Sequence, residues 1–171
     1  MNSISTIAYI GLGSNLSEPM KQVQIAIDEI KKIRLSDVIN VSSMYLSKPM
    51  GPQDQDDYIN AVLALETTLS PIKLLDVLQS IENKAGRVRK DNRWGARILD
   101  LDIILFGNEI INNDRLIVPH YGMKVREFVL LPLAEIAPNL VIPSLIPTER
   151  QSVDFLSQNI ANNSMIKLPP G

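Results

Sequence analysis

An α+β fold is predicted for this 171-residue chain by three observations. Apolar residues switch between strand-like runs and helical spacing in the order strand, helix, strand, strand, helix, strand. Clusters of glycine, proline or aspartate close the runs. The composition, 45% apolar and 21% charged, is ordinary for a globular chain and excludes disorder, a collagen-like fibre and a repeat array. One domain over residues 1–171 is expected, with residues 144–171 wrapping it as a tail.

The elements follow in order. Residues 4–12 (ISTIAYIGL) read as a buried strand, with Gly11-Leu12-Gly13 as a tight turn at its end. The third glycine of a dinucleotide fingerprint is missing, because position 16 is Leu16, and no Walker lysine follows. A helix comes next, with Ser17 as cap, Pro19 in its first turn, and Met20, Val23, Ile27 and Ile30 as its apolar stripe. Residues 38–46 and 58–67 read as strands on either side of a broken polar loop, SKPMGPQDQDD. Ser70-Pro71 opens a second helix, striped by Leu74, Leu75, Leu78 and Ile81 and ended near Gly86.

Residues 98–106 (ILDLDIILF) form another strand, and Gly107-Asn108 turns the chain. An extended piece at 115–118 leads to Pro119-His120-Tyr121. A helix over 123–136, interrupted by Pro132, and a short one over 153–160 complete the reading. This order is the split pattern of ferredoxin-like antiparallel sheets. Helices are expected on one face, and a ligand site on the other under mobile loops at 48–57 and 84–97.

The chain contains no cysteine, which excludes disulfides, thiolate metal sites and a cysteine nucleophile. No apolar run approaches the roughly 18 residues of a membrane span and no leader pattern opens the chain, so a cytoplasmic, membrane-independent protein is expected. The net charge of −2 argues against a general nucleic-acid binder. Yet the 14 residues from Lys84 to Arg97 carry a local +5, which leaves −7 on the rest. Arg87, Arg89, Arg93 and Arg97 suit bidentate phosphate contact, and Trp94 among them suits a loop that closes over a flat ligand. The competing reading is a solvated loop.

Asp100 and Asp102 interrupt an apolar strand that the sequence places inside the sheet. Alternation turns both to one face, about 6.6 Å apart at the backbone. Two carboxylates so close repel unless a cation joins them, and all-oxygen donors favour magnesium over zinc. Alternatively, both lie on a solvated face or pair with arginines. Arg97 stands three residues before Asp100, so cations and acids meet at one end of a strand, as a magnesium polyphosphate requires. His120 is the only histidine. It can donate to a phosphate or serve structure, and it cannot alone build a triad.

RWGARILDLDIILFG resembles the signature of the 6-hydroxymethyl-7,8-dihydropterin pyrophosphokinase family of folate biosynthesis. IGLGSNL, GPQDQDDYINAVLALET, GRVRK and VPHY match in order, so that the resemblance covers Ala8 to Pro143. It implies a ferredoxin-like sheet and transfer of pyrophosphate from ATP to the hydroxymethyl group of the pterin, with release of AMP. Asp100 and Asp102 would hold two magnesium ions. Arg87 and Arg97 would be the key cations of a catalytic loop that also carries Arg89 and Arg93.

Gln79, Arg115, His120, Tyr121 and Arg126 would contact ATP, with Glu82 nearby. Tyr58 and Phe128 would sandwich the pterin, Asn60 and the backbone near Ser47 and Met50 would read its edge, and Trp94 would swing over it. The chain departs from that pattern at Ser47-Lys48, where some relatives carry threonine-proline, and at Ile117, where a hydroxyl residue is expected. Small-molecule substrates and a monomer are expected.

Two other classes share parts of this pattern. A ferredoxin-like RNA-binding module needs sheet aromatics, but aromatics are 5% of the chain and the candidate face is acidic. A magnesium-dependent nucleotidyl transferase shares the paired aspartates but releases pyrophosphate instead of AMP.

Overall fold

β1 (Thr6–Ser14) organises the sheet, because it pairs antiparallel on both sides, with β4 (Tyr58–Thr67) and with β5 (Asp100–Phe106). The computed structural model describes residues 4–14, 18–47, 58–86, 99–120, 127–144, 150–158 and 166–168. The expected strand over 38–46 is two strands, β2 (Ser36–Val41) and β3 (Tyr45–Ser47), and both pair with β4. Ser42 sits at the break; its amide donates to the Val62 carbonyl and its hydroxyl accepts from the Val62 amide, so β4 stays paired there. A short strand, β10 (Ile166–Lys167), adds to β3 and gives the path β10-β3-β4-β1-β5.

α1 (Pro19–Ile30) and α2 (Pro71–Gly86) cover one face. Val23, Ala26, Ile27 and Ile30 of α1 are buried against Ile10 and Leu63, and Leu74 and Leu78 of α2 join the same core. Each such aliphatic side chain contributes about 1.5–3 kcal/mol by leaving water. Met20 is 46% exposed and lies outside this stripe, which Ala26 completes instead. Glu18, with a left-handed φ of 60°, occupies the α1 cap without a side-chain bond, and Pro19 starts the helix. The expected cap Ser17 lies outside the described residues. The Ser70 hydroxyl accepts from the Lys73 amide and caps α2.

The opposite face is also partly covered, against the expectation that helices take one face only. α3 (Glu127–Ile136) and α4 (Val153–Gln158) place Val129, Leu130, Leu133 and Val153 over Val62, Ile104 and Leu105. α3 runs through Pro132 without interruption. The fully buried Leu130 and Leu133 beside it supply the packing that offsets the roughly 3 kcal/mol cost of an interior proline. Two small pairs, β6 (Ile111–Asn112) with β7 (Ile117–Val118) and β8 (Val141–Ile142) with β9 (Gln151–Ser152), complete the fold.

β5 contains a shift in register. Tyr9 pairs with Leu105 and Ile10 with Ile103, so Ile104 is an extra residue. One extra residue inverts the alternation beyond it. Leu101 and Ile103 therefore face α1 and α2, while Ile104 and Leu105 face α3. Strict alternation predicts that Leu105 shares a face with Leu99, Leu101 and Ile103, and the extra residue turns it to the other side.

Candidate functional site

The part of the second face that α3 and α4 leave open carries a row of polar residues. On β4, Ile59, Ala61 and Leu63 belong to the core under α1 and α2, so Tyr58, Asn60 and Val62 face the other way. In register, Asn60 pairs with Gly13, and Gly13 pairs with Asp100. Asp102 pairs with Gly11 one step along. Asn60 and Asp100 thus flank a glycine across three strands, roughly 10 Å apart at the backbone.

Gly11 and Gly13 lie inside β1 and do not form the tight turn expected from their spacing. Their job is steric. A Cβ on Gly13 would stand 3.3 Å from Asn60 Oδ1, and one on Gly11 would stand 3.0 Å from Ile104 Cδ1. The floor between the amide and the acids is therefore bare backbone.

Asp100 and Asp102 share the open face, as alternation predicts. Asp100 is half-buried and Asp102 exposed, and neither lies beneath a helix core. Among the described residues β5 ends the path of the main sheet, so the pair sits on a terminal strand and not on an interior one. That placement opens the acids to a cavity of about 380 Å³ at the sheet edge. Its polar wall is formed by Gln79 and Glu82 of α2, the two aspartates, Arg115 and His120, and Leu75, Leu101 and Leu116 form the apolar wall.

The cavity walls are fixed by hydrogen bonds. The Leu101 amide, between the two aspartates, donates to Glu82 Oε2 at 2.7 Å, which ties the end strand to α2. Arg115 Nη2 donates to Asp76 Oδ1 at 2.6 Å and to Gln79 Oε1 at 3.1 Å. Asn113 Oδ1 accepts from the amides of Arg115 and Leu116, which closes the turn that presents the guanidinium. The His120 amide donates to the Ile104 carbonyl, which ties His120 to β5.

At the other end of the row, Asn60 Nδ2 donates to the Ser47 hydroxyl at 2.6 Å, and both residues are 6% exposed. Ser47 supplies a hydroxyl at this position. Ile117 is 47% exposed on the cavity wall.

The structure brings together Gln79, Asp100, Asp102, Arg115 and His120 at the cavity, and Ser47, Tyr58 and Asn60 on the sheet face. Arg87, Arg89, Arg93, Trp94, Arg97, Met50, Tyr121 and Arg126 lie outside the described residues, as do both expected mobile loops apart from residues 84–86. Phe128 belongs to α3, but its side chain is likewise undescribed. Asp76 was not expected. Its signal was present: an acid three residues before Gln79 shares a helix face with it.

Among the described residues no group of three or more histidines or acids could enclose a metal by itself. Two carboxylates on one open face nevertheless fit magnesium, which takes one or two protein carboxylates and fills its shell with substrate oxygens and water. Among the described residues, no helix is long and apolar enough to cross a membrane.

Residues 9–138 match the family profile described as 7,8-dihydro-6-hydroxymethylpterin-pyrophosphokinase (HPPK). A Haemophilus influenzae protein described as 2-amino-4-hydroxy-6-hydroxymethyldihydropteridine pyrophosphokinase is 54% identical over 163 residues, covering 95% of this chain and 98% of that relative. A Pseudomonas aeruginosa protein of the same description is 52% identical over 135 residues, covering 79% and 83%. Among solved structures, wild-type Plasmodium falciparum HPPK-DHPS with SDX-DHP superposes with a TM-score of 0.71 at 14% identity. That likeness, which is one of fold, covers 92% of this chain and 44% of the longer protein.

Proposed function

The chain belongs to the 7,8-dihydro-6-hydroxymethylpterin-pyrophosphokinase family, and we propose that its open sheet face and edge cavity are where the reaction occurs. The activity is pyrophosphoryl transfer in folate biosynthesis. The hydroxymethyl oxygen of the pterin forms a bond to the β-phosphorus of ATP, the bridge to the α-phosphate breaks, AMP leaves, and the hydroxyl proton is lost. The observation that carries the assignment is the register Asn60–Gly13–Asp100. It puts an amide suited to a heterocycle edge and a carboxylate suited to polyphosphate on one face, beside a cavity with Arg115 in its wall.

The pterin lies on the bare floor over Gly13. Asn60, after donating one N–H to Ser47, keeps a second N–H and its carbonyl for the ring edge. Tyr58 stands beside Ser47 in register, where its ring can stack on a flat ligand. The nucleotide occupies the edge cavity, with Arg115 aimed by Asp76 and Gln79, and with His120 and Gln79 as polar contacts. Asp100 and Asp102 lie between the two substrates and would hold the magnesium ions. Bound there, magnesium neutralises phosphate charge and lowers the pKa of the attacking hydroxyl. The protein supplies position and charge, which suffices for a loose phosphoryl transition state without a dedicated base. Arg87, Arg89, Arg93, Arg97, Tyr121 and Arg126 complete the proposed nucleotide contacts, and Met50, Trp94 and Phe128 complete those to the pterin. A cytoplasmic monomer remains part of the proposal.

Incubation with ATP, magnesium and 6-hydroxymethyl-7,8-dihydropterin should release AMP in step with pterin consumption. Release of inorganic pyrophosphate in place of AMP would assign the chain to the nucleotidyl transferases instead.

A further inference from the structure

Strand β3 has three residues and is flanked on its outer side by β10, which has two, so the ladder alone holds it weakly. It nevertheless carries Ser47, the hydroxyl on which Asn60 is anchored. One carboxylate on α3 gathers Ser43 ahead of that strand, the strand's first residue and the strand beside it. Glu135 Oε1 accepts from the Ser43 amide at 3.0 Å and from the Tyr45 hydroxyl at 2.7 Å. Glu135 Oε2 accepts from the Ser43 hydroxyl at 2.8 Å and faces Lys167 Nζ at 3.7 Å. Lys167 is the register partner of Tyr45, and Tyr45 is the register partner of Asn60. Beyond it, the Leu168 amide donates to the Met44 carbonyl.

An acid in the last turn of a helix opposes the helix dipole, so α3 itself gains nothing from Glu135. Its value lies in the contacts to β3 and β10. The rest of α3 is fixed by Leu130 and Leu133 against Val62, which makes it a rigid support.

We propose that Glu135 is a positioning residue for the pterin pocket, and that the C-terminal strand β10 completes the same device: together they hold β3 so that Ser47 sets Asn60 for the ring edge. This rests on the reading of Ser47 and Asn60 as pterin-edge residues. The Lys167 contact is long and its side chain is 57% exposed, so the hydrogen bonds matter more than the ion pair.

The test compares the full-length chain with Glu135→Ala, Tyr45→Phe and a chain ending at residue 165. Pterin binding in the presence of an unreactive ATP analogue is titrated by pterin fluorescence, and KM is measured for both substrates. Glu135→Ala should weaken the pterin about tenfold, and Tyr45→Phe and the shortened chain about threefold, with KM for ATP and kcat changed less than about twofold. If Glu135→Ala does not fold, the other two variants decide. Unchanged pterin affinity in them, or ATP affinity falling in parallel, overturns the inference. A wild-type chain that binds pterin but releases no AMP would sink the parent reading while leaving this binding comparison intact.

Discussion

The Asp102 side chain is exposed and makes no hydrogen bond or ion pair with another described residue, so its removal leaves the packing intact. Asp102→Ala should lower kcat by about a hundredfold or more, while stability changes by less than about 0.5 kcal/mol. Steady-state AMP release beside urea denaturation reads both, and retained turnover at saturating magnesium contradicts the metal role. The two glycines of β1 separate in a similar way. Gly13→Ala pushes against Asn60 Oδ1, so pterin KM should rise about threefold or more. Gly11→Ala meets the buried Ile104 side chain at Cδ1 and Cγ1 and should cost about 1 kcal/mol of stability, with pterin KM unchanged.

Between α2 and the turn before β7, magnitudes decide which residue matters. Arg115 and Asp76 form an exposed pair, 45% and 53% accessible, and such pairs contribute at most about 1 kcal/mol. Asp76→Asn should therefore raise KM for ATP no more than about fivefold. Arg115→Ala would remove the proposed charge-assisted contact to phosphate, a kind of contact worth about 1.5–3 kcal/mol, so its effect should exceed tenfold. Kinetics with varied ATP at saturating pterin distinguish the two, and equal effects would remove Arg115 from the nucleotide site. On α3, Leu133→Ala opens a fully buried position and should cost about 2–5 kcal/mol by urea denaturation.

Across the whole molecule, the Glu135 cluster joins α3, β3 and the C-terminal strand, and its protonation couples to global stability. Burial opposes the Glu135 carboxylate, but bonds from Tyr45 and Ser43 and the charge of Lys167 outweigh it and lower its pKa from 4.5. That contribution is present above pH 4.5 and is lost as pH falls through the folded-state value. Burial, then the bond to Glu135 and its charge, raise the Tyr45 pKa above 10.0, so that contribution holds below pH 10 and fades as pH rises. Urea midpoints from pH 7 down to pH 3 should converge for the wild-type chain and Glu135→Gln. A constant gap would show that the carboxylate charge is not what stabilises the contact.

The sequence by itself determined what is local. Alternation put Asp100 and Asp102 on one face, the Leu74–Leu78 spacing marked the buried side of α2, and Gly107 marked a turn whose φ of +56° favours glycine. Tertiary structure decided what depends on distant partners. Ile104 lies in an unbroken apolar run, so only pairing with β1 revealed the extra residue that divides the two cores. Arg115 meets Asp76 across 39 positions of chain, and Tyr45 meets Glu135 across 90. No periodicity encodes such a meeting, because it arises only when helices and sheet have packed and burial has selected which polar groups must satisfy one another.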